Sequence, residues 1–285
     1  MVCSAFMSQR VFIGMPVYNG ERFLREALDS LLTQSFSDLT LYISDDSSTD
    51  GTRAICEEYA RKDPRVRYFR QNKNLGMFDN FKFVLDKADA PYFMWTAQDD
   101  LHEKDYLKTC IEKLESTLSL GLATTVVKLV DSFGRQLADE EDVISLSGKP
   151  SFLSVARYTL QKEGLGKANL LYGVFRTEVA RAVWRAYPQR KVWAQDYMFT
   201  LALISRFGVY VDQSPMFKKR LGGNSTPDLE ANQMTDVKLF PRSERKKGGI
   251  PFKRFRGYFL GYMEALRGTP YQPWVAILLL LRLPN

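Results

Sequence analysis

Two hydrophobic periods take turns along the first 115 residues. The short apolar runs VFIGM at 11–15, LTLYIS at 39–44, VRYF at 66–69 and YFMWTA at 92–97 have the length and composition of buried strands. Between the first two, Phe23, Leu24, Ala27, Leu28, Leu31 and Leu32 mark one face of a helix over 21–33. DDSSTDGT at 45–52 is rich in N-cap residues and opens a helix to about residue 61, with Asp50 or one of Ser47 to Thr49 as its cap. GMFDNFKFVLDKA at 76–88 and the segment 105–116 read as two further helices. This alternation predicts an α/β fold on a doubly wound, mostly parallel sheet.

After Leu120 the pattern becomes mixed. LATTVVKLVD at 122–131 reads as a strand and SFGRQ as a turn. NLLYGVFRTEVARAVWRAY reads as a strand entering a helix, and VWAQDYMFTLALISRFGVYV as a turn, a helix and a strand. From about Thr226 the chain is loop and helix. The expected organisation is therefore a half over 1–115, a smaller mixed half over 116–225, and a C-terminal helical tail over 226–285.

In doubly wound sheets, ligands bind at the carboxyl ends of the strands. Here those ends carry Pro16 to Asn19, Asp45 to Ser48, Gln71 to Asn74, and Gln98 to Asp100, a polar and acidic edge. Asp99-Asp100, closing an aromatic strand, is either a turn start or a divalent metal site. Hard carboxylate oxygens suit Mg²⁺ or Mn²⁺, which are usually held by one or two carboxylates together with substrate phosphates. His102 is an ordinary loop residue or a further ligand. Asp45-Asp46 offers acceptors to a base or a ribose, and Tyr18 a face for stacking. GxGxxG, P-loop, GxSxG and HExxH patterns are absent from the sequence.

Charge and cysteine content narrow the classes. The net charge is +7, and residues 242–285 carry nine Lys/Arg against two Glu, so the body is neutral in sum and does not resemble a nucleic-acid binder. Three scattered cysteines (Cys3, Cys56, Cys110) form no disulfide framework, which points to a reducing compartment. The N-terminus lacks the apolar run of a signal peptide.

IGMPVYNGERFLREALDSLLTQSFSDLTLYISDDSSTDGT, then NKNLGMFDNF, then YFMWTAQDDLHEKDYL together resemble the donor-binding half of the family 2 glycosyltransferases of GT-A fold, over residues 11 to about 115. The resemblance implies that Pro16, Tyr18 and Asp46 bind the nucleotide, usually uridine, and that Asn74, Gly76 and Asn80 line the donor site. It maps the family's DxD-like element onto Gln98-Asp99-Asp100, with Asp100 as the metal ligand and Asp99 beside it. Many members carry a third acidic residue where Gln98 stands. More weakly, Gly173 and Asp196 match a strand glycine and a catalytic base, with Gln195 in place of a common Glu; Arg220 is a weaker match to a diphosphate contact.

The implied reaction is inverting, metal-assisted transfer of a hexose from a nucleotide-diphosphate sugar to a glycan or glycolipid hydroxyl. Two alternatives stay open. One is a degenerate nucleotide-sugar or glycan-binding module, which Gln98 and Gln195 invite. The other is a nucleotidyltransferase, which usually carries a basic, Gly-rich loop after the first strand. The basic, aromatic tail either packs on the body or lies peripherally on an anionic membrane; its apolar run of Trp274 to Leu281 is too short to cross one. A cytoplasmic setting, either free or peripheral at the cytoplasmic membrane face, follows as the expectation.

Overall fold

The computed structural model describes residues 9–140, 146–161, 168–187, 195–222 and 252–280. Four βα units open the chain: β1 (Val11–Val17), α1 (Leu24–Leu32), β2 (Leu39–Asp45), α2 (Thr52–Lys62), β3 (Val66–Arg70), α3 (Met77–Asp86) and β4 (Tyr92–Trp95), then the two-residue β5 (Leu101–His102) and α4 (Tyr106–Ser116). Next come β6 (Leu120–Val130), β7 (Gln136–Glu140), α5 (Phe152–Leu160), a 3₁₀ turn (Asn169–Tyr172), β8 (Val174–Arg176) and α6 (Thr177–Ala186). The described chain ends with α7 (Gln195–Ile204), β9 (Gly208–Arg220), α8 (Phe252–Ala265) and α9 (Gln272–Leu280).

One sheet carries all of the strands, in the order β3-β2-β1-β4-β8-β6-β9-β5, with β7 beside β6. β3, β2, β1 and β4 run parallel. β8 reverses the direction between β4 and β6, and β9 then lies parallel to β6. The fold is the expected α/β arrangement with a parallel first half and a mixed second. Both halves share this sheet without a break.

Strand period 2 divides the core. Phe12 and Phe93 face a cluster that also buries Trp95, Phe175, Trp184 and Phe199, under α3, α6 and α7. Val11, Ile13, Met15 and Met94 face the opposite cluster, with Leu28 of α1 and Leu107 of α4. Gly14 has to be small: a Cβ there would sit 2.8 Å from a Val84 methyl, so α3 closes directly onto β1. The tail helices join the same core. Tyr262, Leu266, Val275 and Leu279 are buried in it, and Gly261 leaves room for Met198 of α7. The cationic stretch 242–247 and Cys3 lie outside the described residues. Among the described residues, no helix is long and apolar enough to cross a membrane.

Burial pushes the Cys56 thiol up to about 12, with the negative charges of Asp45 and Asp50 adding to the effect. Burial also pushes up the Cys110 thiol. A thiolate is the species that alkylates. In the native protein at pH 8, iodoacetamide is therefore expected to leave both cysteines unmodified until denaturant is added, as peptide mass mapping would show.

Candidate functional site

The turn after β1 is held from outside by four successive backbone amides. Tyr18 N–H donates to Gln98 Oε1 (2.8 Å), Asn19 N–H to Ser48 Oγ (2.9 Å), Gly20 N–H to Thr52 Oγ1 (2.8 Å) and Glu21 N–H to Asp50 Oδ2 (3.1 Å). Asn19 adopts φ 49°, a left-handed conformation that asparagine tolerates better than most residues. The cap-rich stretch after β2 thus serves two elements: Asp50 also accepts from Thr52 N–H at the start of α2 (3.0 Å). Tyr18 itself stays half exposed beside this turn, next to Pro16 of β1.

Asp45 and Asp46 are both buried, and they have separate tasks. Asp45 accepts from Arg70, Tyr68 Oη and Ser48 N–H, which locks β2 to β3. Asp46 accepts from Leu75 N–H (2.6 Å) and Gly76 N–H (2.9 Å), folding the 74–76 loop over the strand end. Asn74 adds a bond to Asp46 O, and Gly76 takes φ 86°, where a side chain would strain the backbone. Asn80 departs from the expectation that it lines the donor site. It is 2% exposed, and both ends of its amide bond Ser44, so it fastens α3 to β2 below the surface.

Asp99 and Asp100 are each 3% exposed. Asp100 Oδ1 accepts from Arg220 N–H (3.0 Å), and β5, directly after the pair, zips antiparallel onto β9. Burial first, and then the charge of Asp99, hold the Asp100 carboxyl well above the usual carboxylate range; Lys219 and Arg220 pull it partly back. A hard divalent cation would relieve both penalties, and a pair of carboxylates with substrate oxygens is its usual shell. The residues present therefore fit such an ion.

Arg220 corrects a second expectation. Its side chain is buried beneath the pair: Nε donates to Asp99 O, and the terminal nitrogens to Ser132 O and to the Glu26 carboxylate (2.7 Å). With each guanidinium nitrogen engaged and Phe23 stacked 4.4 Å away, it is not placed to meet a diphosphate. Strand alternation gives the open side to its neighbour. Lys219 donates to Asn169 Oδ1 (2.9 Å), lies 5.4 Å from the Tyr172 ring, and acts electrostatically on Asp100. Arg220→Met is expected to destabilise the fold by about 2–3 kcal/mol, the scale of lost hydrogen bonds to a charged group. Urea unfolding measures this.

His102 lies in a strand rather than a loop. It is buried in β5, stacked on Phe217 at 5.0 Å, and burial lowers its pKa to about 3. Asp196 stands half buried in the first turn of α7, its Oδ1 accepting from Tyr197 N–H (2.9 Å). Tyr172, just before Gly173 and β8, ends the 3₁₀ turn that packs against both β4 and α7. Its hydroxyl is raised by burial first, with the charges of Asp100, Asp196 and Asp99 adding to the effect. Sequence reasoning missed Tyr172 and Lys219. A cation and an aromatic in no recognised motif gave no signal.

Similarity to known proteins agrees with this fold. The model of "Glycosyl transferase family 2" matches residues 12–174. The chain belongs to this family. Glycosyltransferase GlyA of Streptococcus pneumoniae is 32% identical over 108 residues, 38% of this chain; the match spans 15% of that much longer protein. Among solved structures, TarS of S. aureus in complex with UDP-GlcNAc superposes with TM-score 0.66 at 17% identity, over 95% of this chain and 71% of that one. The mannosyltransferase PcManGT from Pyrobaculum calidifontis, in complex with GDP-Man and Mn²⁺, superposes with TM-score 0.54 at 16% identity, over 95% and 74%. Both likenesses show that this family member has the GT-A fold.

Proposed function

We propose that this chain is an inverting glycosyltransferase that moves a hexose from a nucleotide-diphosphate sugar, of uridine type, to a hydroxyl of a glycan or glycolipid. The family match and the acidic sheet edge carry this reading: Tyr18, Asp46 and the buried Asp99-Asp100 pair follow the carboxyl ends of β1, β2 and β4, which are neighbouring parallel strands. Tyr18 stacks on the base. Asp46, already holding the 74–76 loop, offers its remaining lone pairs to the nucleoside. Asp100 and Asp99 would hold Mn²⁺ or Mg²⁺, in keeping with the Mn²⁺ complex of PcManGT, and the ion would supply Lewis-acid stabilisation of the leaving diphosphate. Lys219, rather than Arg220, is the cation for that diphosphate. Asp196 takes the proton from the acceptor hydroxyl as it attacks opposite the leaving group, a single displacement that inverts the anomeric centre.

Thermal stability with UDP, GDP, TDP and CMP, with and without Mn²⁺, tests the donor site. A ligand that binds only the folded state at about 100 times its Kd adds roughly 2.7 kcal/mol. A Mn²⁺-dependent shift with one nucleoside diphosphate supports the reading, and no shift with any of them defeats it. Binding without turnover would mark a non-catalytic module instead.

The acceptor side extends this proposal to a membrane surface. Phe152 of α5 packs against Trp274 of α9 (6.2 Å), and Leu153, Leu160 and Ile277 are exposed close by. Neither helix contains an acidic residue, and the cationic excess of the chain lies in the same C-terminal segment. Apolar and cationic groups together suit an anionic bilayer face, where glycolipid acceptors reside, and support a peripheral setting at the cytoplasmic membrane face. Co-sedimentation with vesicles that rises with anionic lipid supports this; sedimentation indifferent to lipid charge removes it.

A further inference from the structure

We infer that Gln98 is a positioning residue for the donor base: its carboxamide locks the Tyr18 peptide and so fixes where the Tyr18 ring stands. The inference rests on the donor-site reading above. Gln98 Oε1 accepts from Tyr18 N–H at 2.8 Å, while Nε2 donates to Tyr18 O at 3.0 Å. One side chain thus holds both polar groups of one residue. The amide is 8% exposed and lies across the turn because Gly20 is bare; a Cβ on Gly20 would stand 2.8 Å from Oε1.

The neighbouring amides at 19–21 are tied to the loop between β2 and α2. Tyr18 is tied instead to the end of β4, the strand that delivers Asp99 and Asp100. Gln98 therefore joins the stacking ring to the acidic pair. A glutamate at this position could not make that link. An ionised carboxylate accepts but cannot donate, so it would face the Tyr18 carbonyl with repulsion. It would also add a third buried negative charge beside Asp99 and Asp100. The amide at 98 exchanges that charge for a fixed base platform.

The test is a double-mutant cycle read by nucleotide affinity. Gln98→Met keeps the length of the side chain and removes both bonds; Tyr18→Ala removes the exposed ring. Kd is measured for UDP, GDP and TDP, and for inorganic pyrophosphate with Mn²⁺. Gln98→Met is expected to weaken the favoured nucleotide about tenfold, the scale of two lost hydrogen bonds. Pyrophosphate with Mn²⁺ should bind as in the wild type. In the Tyr18→Ala background Gln98→Met should have no further effect, because the two residues act as one unit. Equal losses for nucleotide and pyrophosphate, additive losses in the cycle, or no loss at all would overturn the role of Gln98 while leaving the donor site standing. Wild-type protein that binds none of the nucleotides would overturn both.

Discussion

Asp100→Asn is expected to abolish sugar transfer and, in metal-free buffer, to raise the melting temperature. The two effects have one origin. The fold buries two adjacent carboxylates, and Asp100 is held above its ordinary range by burial and by Asp99. Its folded-state pKa is raised, so the unfolded chain ionises first as pH increases. Stability attached to this group is present in acid and is lost as pH rises through the carboxylate range. Asparagine removes that penalty and can still accept the Arg220 amide. The gap in melting temperature between variant and wild type should therefore widen from acid to neutral pH. Mn²⁺ with the cognate nucleotide should stabilise the wild type and leave the variant unmoved. Differential scanning fluorimetry over pH, with a transfer assay alongside, reads both. A variant less stable than wild type at neutral pH would show that the charge pair is not strained.

Asp196→Asn is expected to lower kcat by about 10²–10⁴-fold while the Kd for the donor stays unchanged. That is the usual range for removing a general base. The separation follows from location: Asp196 enters on α7, while the proposed donor contacts come from the ends of β1, β2 and β4. Calorimetry with the donor nucleotide and initial rates at saturating donor distinguish the cases. Turnover within a few-fold of wild type would remove Asp196 as the base.

The first half was legible because its signals are local. In VFIGM and LTLYIS, strand length, composition and the following turn chemistry lie within ten residues of each other, and the observed β1 and β2 follow them closely. The later elements depend on distant partners. β5 has two residues and exists because Leu101 and His102 meet Lys218 and Phe217, more than 110 positions away. That pairing turned His102 from a loop residue into a core ring. α5 has an apolar pattern, but no part of the sequence reading marked its start, which Ser151 caps by accepting from Ser154 N–H.

In the site, residue type was easier to read than facing. Asn80 and Arg220 have side chains suited to a donor, yet the helix and strand that carry them turn them inward. Lys219 differs from Arg220 by one step along a pleated strand, and only the register of β9 on β6 decides which of the two faces Asp100. Gln98 read as a missing acid. Its two bonds to Tyr18 become visible once β1 and β4 are side by side.

The unbroken sheet has a mechanical consequence. From β3 through β4 and β8 to β5, every strand is hydrogen-bonded to the next, so no break in the ladder separates the ends of β1, β2 and β4 from Lys219 on β9. Rotation of one half against the other would have to break strand ladders. The spacing between the proposed nucleotide contacts and Lys219 is therefore set when the chain folds.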